Sequence, residues 1–183
     1  DASGLELRCF AHYLQNPKFT EQVVDGDIHT YNQNIIGLKD RPTAKTWVYA
    51  FIYGAGDAKL GQIVGGNTEA GLASRKRFIN KVKGMKTLTN NLINLLQRRK
   101  RKYGEYQLVA LDKRILLARS IHSSLNTLIQ GAGAIICKQW LLNIIDEVDK
   151  QNVDAKPVAN VHDEVQFEVR KEQAVDFGNI TKE

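Results

Sequence analysis

Three features far apart in the chain carry residue types that could do chemistry together. Asp1 and Asp163 are two carboxylates, each next to a stretch with strand-like alternation. Arg41 and Lys45 place two cations one helical turn apart, and Tyr49 and Tyr53 follow at the same spacing. His29 comes just after the turn signal Asp25-Gly26. Each feature alone is ordinary: aspartates in turns are commonly structural, cationic helix faces meet water, and a lone histidine is commonly a hydrogen-bonded surface or core residue. Together they are what phosphoryl transfer with two hard cations requires. Mg²⁺ takes a few carboxylate oxygens plus substrate phosphates and water, and the remaining phosphate charge needs fixed cations.

The elements that must position these residues follow from periodicity and punctuation. Residues 1–14 read as a short strand running into a turn and helix, broken at Asn16-Pro17. Asp27 suits the N-cap of a helix carrying His29, Tyr31 and Ile35, with Gly37 ending it. Asp40 to Gly56 is the clearest helix, with Pro42 tolerated in its first turn and Gly54 with Gly56 as its stop. Arg41, Lys45, Tyr49 and Tyr53 drift along one face, while Ala44, Trp47, Val48 and Phe51 form the buried one. Residues 57–103 read as two helices split near Gly84 and ending in the basic run Arg98 to Lys102, taken as a solvated face. A strand-like stretch at Gln107 to Ala110, a charged turn and a further apolar run come next. Ser120 to Val148 reads as one long helix, with Leu125, Leu128, Ala132, Ile135 and Ile136 buried and Asn126 and Gln130 one turn apart. Val158 to Val169 reads as a strand hairpin around Asp163-Glu164.

Composition narrows the class. The 183 residues include 26 Lys+Arg and 20 Asp+Glu, a net charge of +6, with 43% hydrophobic residues and 3 prolines. That describes a packed globular chain and excludes disordered, collagen-like and disulfide-rich classes. The excess of cations makes a polyanion a plausible partner. The longest nearly apolar stretch, Ala132 to Cys137, is too short to span a bilayer, so no membrane association is expected. Cys9 and Cys137 lie far apart without Cys or His at ligand spacing, and read as reduced, buried thiols. The chain opens without an initiating Met, and its one Met is Met85, which reads as a piece of something longer.

Asp1-Ala2-Ser3-Gly4-Leu5-Glu6-Leu7-Arg8 resembles motif A of the family A, DNA polymerase I-like DNA polymerases. Arg41, Lys45, Tyr49, Tyr53 and Gly54 match the pattern of motif B, the fingers helix. Val161-His162-Asp163-Glu164 is similar to motif C, and Asp27-Ile28-His29-Thr30 resembles the segment between motifs A and B. The wording of motif A, Tyr49, and Leu125 to Leu128 with Gln130 and Ala132-Gly133-Ala134 resemble the bacteriophage replicative branch most closely.

The resemblance implies an α+β partial palm, an antiparallel sheet with helices, carrying a largely α-helical fingers subdomain. Palm would cover residues 1–18 and 119–183 and fingers 19–118, with thumb and exonuclease outside the chain. It implies that two Mg²⁺ ions are held by Asp1, Asp163 and the carbonyl of Ala2. His29, Arg41 and Lys45 would grip nucleotide phosphates, with Lys45 also protonating the leaving pyrophosphate. Tyr49 would stack near the sugar and Tyr53 near the base. Glu6, pairing with Tyr53, would block a ribose 2′-hydroxyl. Asn126 and Gln130 would face the minor groove of the new duplex, where acceptors occur in every base pair, and His162 the primer terminus. Glu164 would be a supporting carboxylate, Gly54 part of the fingers-helix stop, and Arg8 a structural charge partner. The implied partners are primer–template DNA, deoxynucleoside triphosphates and a processivity factor bound through regions outside the chain. The implied location is the cytoplasm of a phage-infected bacterium. Two rival readings stay open: a related single-subunit RNA polymerase, and a non-catalytic nucleic-acid-binding module. A palm lacking strands is also expected to leave an open sheet edge and an exposed apolar face.

Overall fold

The computed structural model describes residues 2–182; Asp1 and Glu183 lie outside the described residues. Among the described residues the chain forms nine α-helices and two separate two-stranded antiparallel sheets, an α+β arrangement. Helix α1 spans Leu5–Leu14, where the sequence pattern predicts a short strand running into a turn and helix. The difference has a packing cause. Leu7, Phe10, Ala11 and Leu14 form one buried stripe at helical spacing, and Leu5 with Cys9 forms a second. A helix buried on two sides shows apolar residues at alternate positions over a short window, which imitates a strand.

Capping explains the next boundaries. Helix α2 spans Pro17–Val24, and Asn16 Oδ1 accepts the Phe19 N–H at 3.2 Å to start it. Helix α3 (Ile28–Ile36) starts on Asp27 and ends at Gly37, which takes φ +76°. Helix α4 (Arg41–Ile52) starts on Asp40, whose carboxylate accepts the Thr43 N–H at 2.7 Å. It buries Ala44, Trp47, Val48 and Phe51, as its spacing predicts. Gly54, at φ +81°, follows its end, whereas Gly56 opens the next helix instead of stopping this one. Trp47 lies stacked on Phe51 at 5.4 Å and donates its indole N–H to Ser74 Oγ at 3.0 Å. That hydroxyl passes the bond on to the Gly71 carbonyl at 2.7 Å, so no polar atom in this chain of bonds is stranded in the core.

Residues 57–103 form three helices where the sequence suggests two: α5 (Asp57–Ile63), α6 (Thr68–Lys81) and α7 (Met85–Tyr103). The extra break falls at Gly65-Gly66-Asn67, where Gly65 takes φ +74° and Asn67 accepts the Ala70 N–H at 3.1 Å. Helices α5 and α6 pack so closely that a Cβ on Gly61 or Gly71 would run into backbone of the facing segment. The basic run at the end of α7 is mostly exposed, and Lys100 Nζ donates to the Gly104 carbonyl at 2.5 Å, completing the helix end.

Strands β1 (Gln107–Val109) and β2 (Ile115–Leu117) pair antiparallel. Helix α8 (Ser124–Lys150) begins after Ser120 and Ser123 have exchanged backbone-to-hydroxyl bonds of 3.1 and 3.2 Å. Leu128 and Ala132 are buried as expected, but Ile136 is 43% exposed and Leu125 and Ile135 are only half-buried. The buried stripe runs instead through Ile129, Gly133, Cys137, Ile144 and Val148. The cause is a change of partner along the helix: its first half packs on α1, α7, β1 and β2, and its second half on later elements. Its mean hydropathy, 1.3 in its most apolar window, also meets the length and composition of a bilayer span. Packing on both ends, with Lys138, Asp146, Glu147 and Asp149 along it, accounts for α8 as a helix tying the fold together.

Strands β3 (Ala155–Val161) and β4 (Glu164–Val169) form the hairpin, and helix α9 (Ala174–Ile180) closes the chain's described part. The register slips between Pro157 and Ala159, so Val158 is the extra residue of a bulge. Val158 and Val161 are 60% and 53% exposed, whereas Val165 and Phe167 pack on Ile144, Val148 and Ile180. Cys9 and Cys137 are free, buried thiols.

Candidate functional site

The site is assembled where four sequence-distant segments meet. At one end is the tip of the β3–β4 hairpin, where His162 takes the left-handed conformation, φ +54°, and Asp163 is half-buried. The Asp163 carbonyl accepts the Ala2 N–H at 2.8 Å, which fastens the start of the described chain to the hairpin tip. Asp163 makes no ion pair with a lysine or arginine among the described residues. Among the described residues the Ala2 carbonyl is engaged only by a long bond, 3.2 Å, from the Leu5 N–H, which leaves it a second lone pair. Glu164 is exposed and accepts from Gln166 Nε2 at 2.6 Å. Asp1, the other expected carboxylate, lies outside the described residues.

Among the described residues no three His, Cys, Asp or Glu side chains cluster as a metal cage. One uncommitted carboxylate beside a backbone carbonyl is nonetheless a hard-oxygen donor set. It suits Mg²⁺, which keeps waters and binds through one or two carboxylates plus substrate phosphates in place of an all-protein cage.

The other end is cationic. A cleft of about 230 Å³ is lined by Ser3, Gly4 and Arg8 from the first segment, His29 from α3, and Lys45 and Tyr49 from α4. Lys45 is exposed and without an ion pair among the described residues. Burial, then the Arg41 and Lys45 charges, hold His29 below its ordinary pKa, and its Nδ1 is buried without a partner among the described residues. Arg41 pairs through Nε with Asp27 Oδ2 at 2.8 Å. Arg8, expected as a charge partner, has no ion pair among the described residues; its Nε donates to the Ser3 carbonyl at 3.1 Å and its side chain lines the cleft.

Between the two ends stand the phenols. The Tyr49 ring lies 6.2 Å from His29 and 6.4 Å from Tyr53, in near-parallel stacking with the latter. Burial, reinforced by the Glu6 and Asp163 carboxylates, raises the Tyr49 pKa. Tyr53 donates its hydroxyl to Glu6 Oε1 at 2.9 Å, joining α1 to the end of α4. Burial and that bond push its pKa up to about 12, and Gln130 reaches toward the same phenol. Gly54 follows directly, and a Cβ there would press on the His122 carbonyl at 3.2 Å. Asn126 and Gln130 are half-buried near the start of α8, not an exposed polar stripe. Among the described residues Asn126 Oδ1 and Gln130 Nε2 are buried and make no well-formed hydrogen bond, which leaves polar atoms of both open to a partner.

The structure therefore brings Arg8, His29, Lys45 and Tyr49 together around one cleft, sets Tyr53 beside Tyr49 and bonds it to Glu6, ties Arg41 to Asp27 just ahead of His29, and fastens Ala2 to Asp163. Sequence reasoning missed Ser3 and Gly4 as lining residues and Asp27 as more than a cap. The signal for Asp27 was available only as its N-cap position; its grip on Arg41 depends on how α3 and α4 pack.

Comparison with known proteins identifies the family and the fold. The DNA polymerase family A description matches residues 1–183. The chain is 38% identical over 190 residues to the DNA-directed DNA polymerases of Enterobacteria phage T3 and Escherichia phage T7, covering 94% of this chain and 27% of each relative. It is 31% identical to DNA polymerase I of Aquifex aeolicus, covering 98% of this chain and 33% of that one. The chain thus spans about a quarter to a third of these relatives' length. The structure of the POL domain of Pol1 from M. smegmatis in complex with DNA primer-template and dNTP superimposes with a TM-score of 0.82 at 18% identity. It covers 99% of this chain and 35% of that one, and establishes the shared fold. With the family description matching its whole length, the chain belongs to DNA polymerase family A.

Proposed function

We propose that the chain is the nucleotide-selecting and metal-holding part of a DNA-directed DNA polymerase, adding a deoxynucleoside monophosphate to a primer 3′-hydroxyl with release of pyrophosphate. Its setting would be replication in the cytoplasm of a phage-infected bacterium. The observation that carries the reading is the polarity of the site: an uncommitted Asp163 pinned to Ala2 at one end, and a cleft holding His29 and Lys45 at the other, with Tyr49 between. The phage relatives' names and the primer-template and dNTP bound by the solved relative support it.

In this reading Lys45, His29 and Arg41 bind the triphosphate, and Lys45 gives a proton to the leaving pyrophosphate. His29, held neutral by its burial and the neighbouring cations, can take a proton when phosphate arrives. Tyr49 and Tyr53 offer ring faces that accept any base. Glu6, fixed by Tyr53, closes the space a ribose 2′-hydroxyl would need. Gln130 supplies an amide donor for the minor-groove acceptors that all base pairs share, with Asn126 beside it and His162 near the primer terminus. Asp163 and the Ala2 carbonyl, with Asp1, would hold two Mg²⁺ ions, and Glu164 would support them. Bound Mg²⁺ supplies the charge that favours primer-hydroxyl ionisation and stabilises pyrophosphate as it leaves. Residues 1–18 and 119–183 would serve as palm and 19–118 as fingers.

Single-nucleotide primer extension with Mg²⁺ tests this, comparing deoxy- and ribonucleotides on the chain and on a protein of the relatives' full length that contains it. Extension with deoxynucleotides that disappears in Asp163→Asn is expected. Equal use of ribonucleotides points to an RNA polymerase. DNA binding without any extension by the longer protein refutes catalysis.

A further inference from the structure

We propose that Asp27 is a positioning residue: from the start of α3 it holds Arg41, at the start of α4, side-on, so that the guanidinium presents its outer N–H groups to a nucleotide's phosphates. The inference rests on reading the cleft as a triphosphate pocket and adds a residue that the reading does not use.

Both oxygens of Asp27 are committed. Oδ1 accepts the backbone N–H groups of His29 at 3.1 Å and Thr30 at 3.3 Å, which caps α3 and fixes the direction in which His29 leaves the backbone. Oδ2 accepts the Thr30 hydroxyl at 2.7 Å and Arg41 Nε at 2.8 Å. The bonds from Arg41 and Thr30 hold this carboxyl well below the usual carboxylate range, so the clasp is charged at any working pH. Asp40, the carboxylate adjoining Arg41 in sequence, is occupied by the Thr43 N–H and does not compete.

The choice of atom decides the chemistry. A bidentate grip through the two Nη groups would consume the fork that arginine uses for phosphate. Here only Nε is engaged, and the Nη groups have no hydrogen-bond partner among the described residues. Arg41 is 51% exposed at its side chain, and without the clasp its flexible stem would let the fork swing through solvent. Asp27 thereby orders an arginine without neutralising its recognition face, while the same carboxylate sets His29 one helix away.

The test is calorimetric titration of inorganic triphosphate into the whole chain. Asp27→Asn keeps a capping oxygen but gives up the charged clasp, and Asp27→Ser keeps a capping hydroxyl too short to reach Arg41. Each should weaken binding by about tenfold with the melting temperature unchanged. The double variant Asp27→Asn with Arg41→Lys should bind no more weakly than Arg41→Lys alone, because both substitutions remove one device. Binding like the unsubstituted chain's, weakening that only follows a fall in melting temperature, or full additivity would reduce Asp27 to a helix cap and overturn the proposal. Failure of the unsubstituted chain to bind triphosphate would instead remove the pocket reading, and the proposal with it.

Discussion

Replacing Tyr53 by Phe removes one oxygen and, with it, the bond that ties the end of α4 to Glu6 on α1. The tyrosine's pKa rises from 10.0 to about 12 because burial and the Glu6 carboxylate both resist a phenolate. Two units correspond to about 2.7 kcal/mol. Tyr53 is 49% exposed, however, so solvent screens much of this, and ~1 kcal/mol is the figure to carry. A pKa raised in the folded state means that the unfolded chain loses its proton first. Between pH 10 and 12 the native state therefore holds more protons, and stability falls with rising pH. The contribution is whole below about pH 10 and gone above about pH 12. Urea unfolding followed by the emission of buried Trp47 should show Tyr53→Phe less stable by ~1 kcal/mol at pH 8, with the gap narrowing through pH 11. Absorbance titration of the phenols should show the latest-titrating tyrosine move earlier in Glu6→Gln. Equal stabilities at pH 8, or a gap that stays constant with pH, would refute the inference that this bond fastens the two helices.

Three further expectations follow from the same geometry. His29 has a folded pKa below its unfolded value of 6.5, so the unfolded chain binds more protons at acid pH and stability falls as pH drops through that region. Triphosphate binding should reverse the local field and draw a proton onto His29, seen as a buffer-dependent binding enthalpy near pH 7 that vanishes in His29→Gln. Gly71→Ala places a methyl against the Asp57 carbonyl and the Gly61 amide, backbone that cannot step aside. A loss of at least ~2 kcal/mol, read by urea unfolding, is expected from overpacking. Lys45→Ala should lower the rate of nucleotide addition in the full-length protein by roughly a hundredfold or more while primer–template affinity holds, measured by single-turnover extension and by DNA titration.

What could be read from the residues was what local chemistry decides. Caps at Asp27 and Asp40 and stops at Gly37 and Gly54 act within one turn, so the bounds of α3 and α4 follow from sequence. Helix α1 was obscured because it is buried on two sides, and the break between α5 and α6 falls at Gly65-Gly66-Asn67, a turn signal that reading residues 57–103 as two helices passed over. The exposure of Ile136 and Val158 depends on which neighbours α8 and the hairpin meet, and a one-residue bulge shifts the pattern of β3. Among the site residues, the Arg41 to Tyr53 face was legible because one helix carries all of it. Among the described residues Arg8 bonds a backbone carbonyl, a contact that leaves no mark in the choice of residue types. The grip of Asp27 on Arg41 and the bond between Ala2 and Asp163 join separate elements, and only packing creates them.

The arrangement of charge explains why these pieces need a common core. The cations come from α3 and α4, and the oxygen donors from α1's approach and the hairpin tip. Each set repels itself, and neither end has opposite charges enough to neutralise it within the described residues. Holding the two ends in place therefore falls to burial: Trp47, Phe51 and Phe78 under α4, and Leu5 packed on Gly133 where α1 meets α8. Tyr49 sits at the join, its phenol kept neutral by burial and by carboxylates on one side while His29 lies on the other. On the proposed reading, a triphosphate with its counter-cations carries charges in the complementary order, and its binding would offset the repulsion within each end.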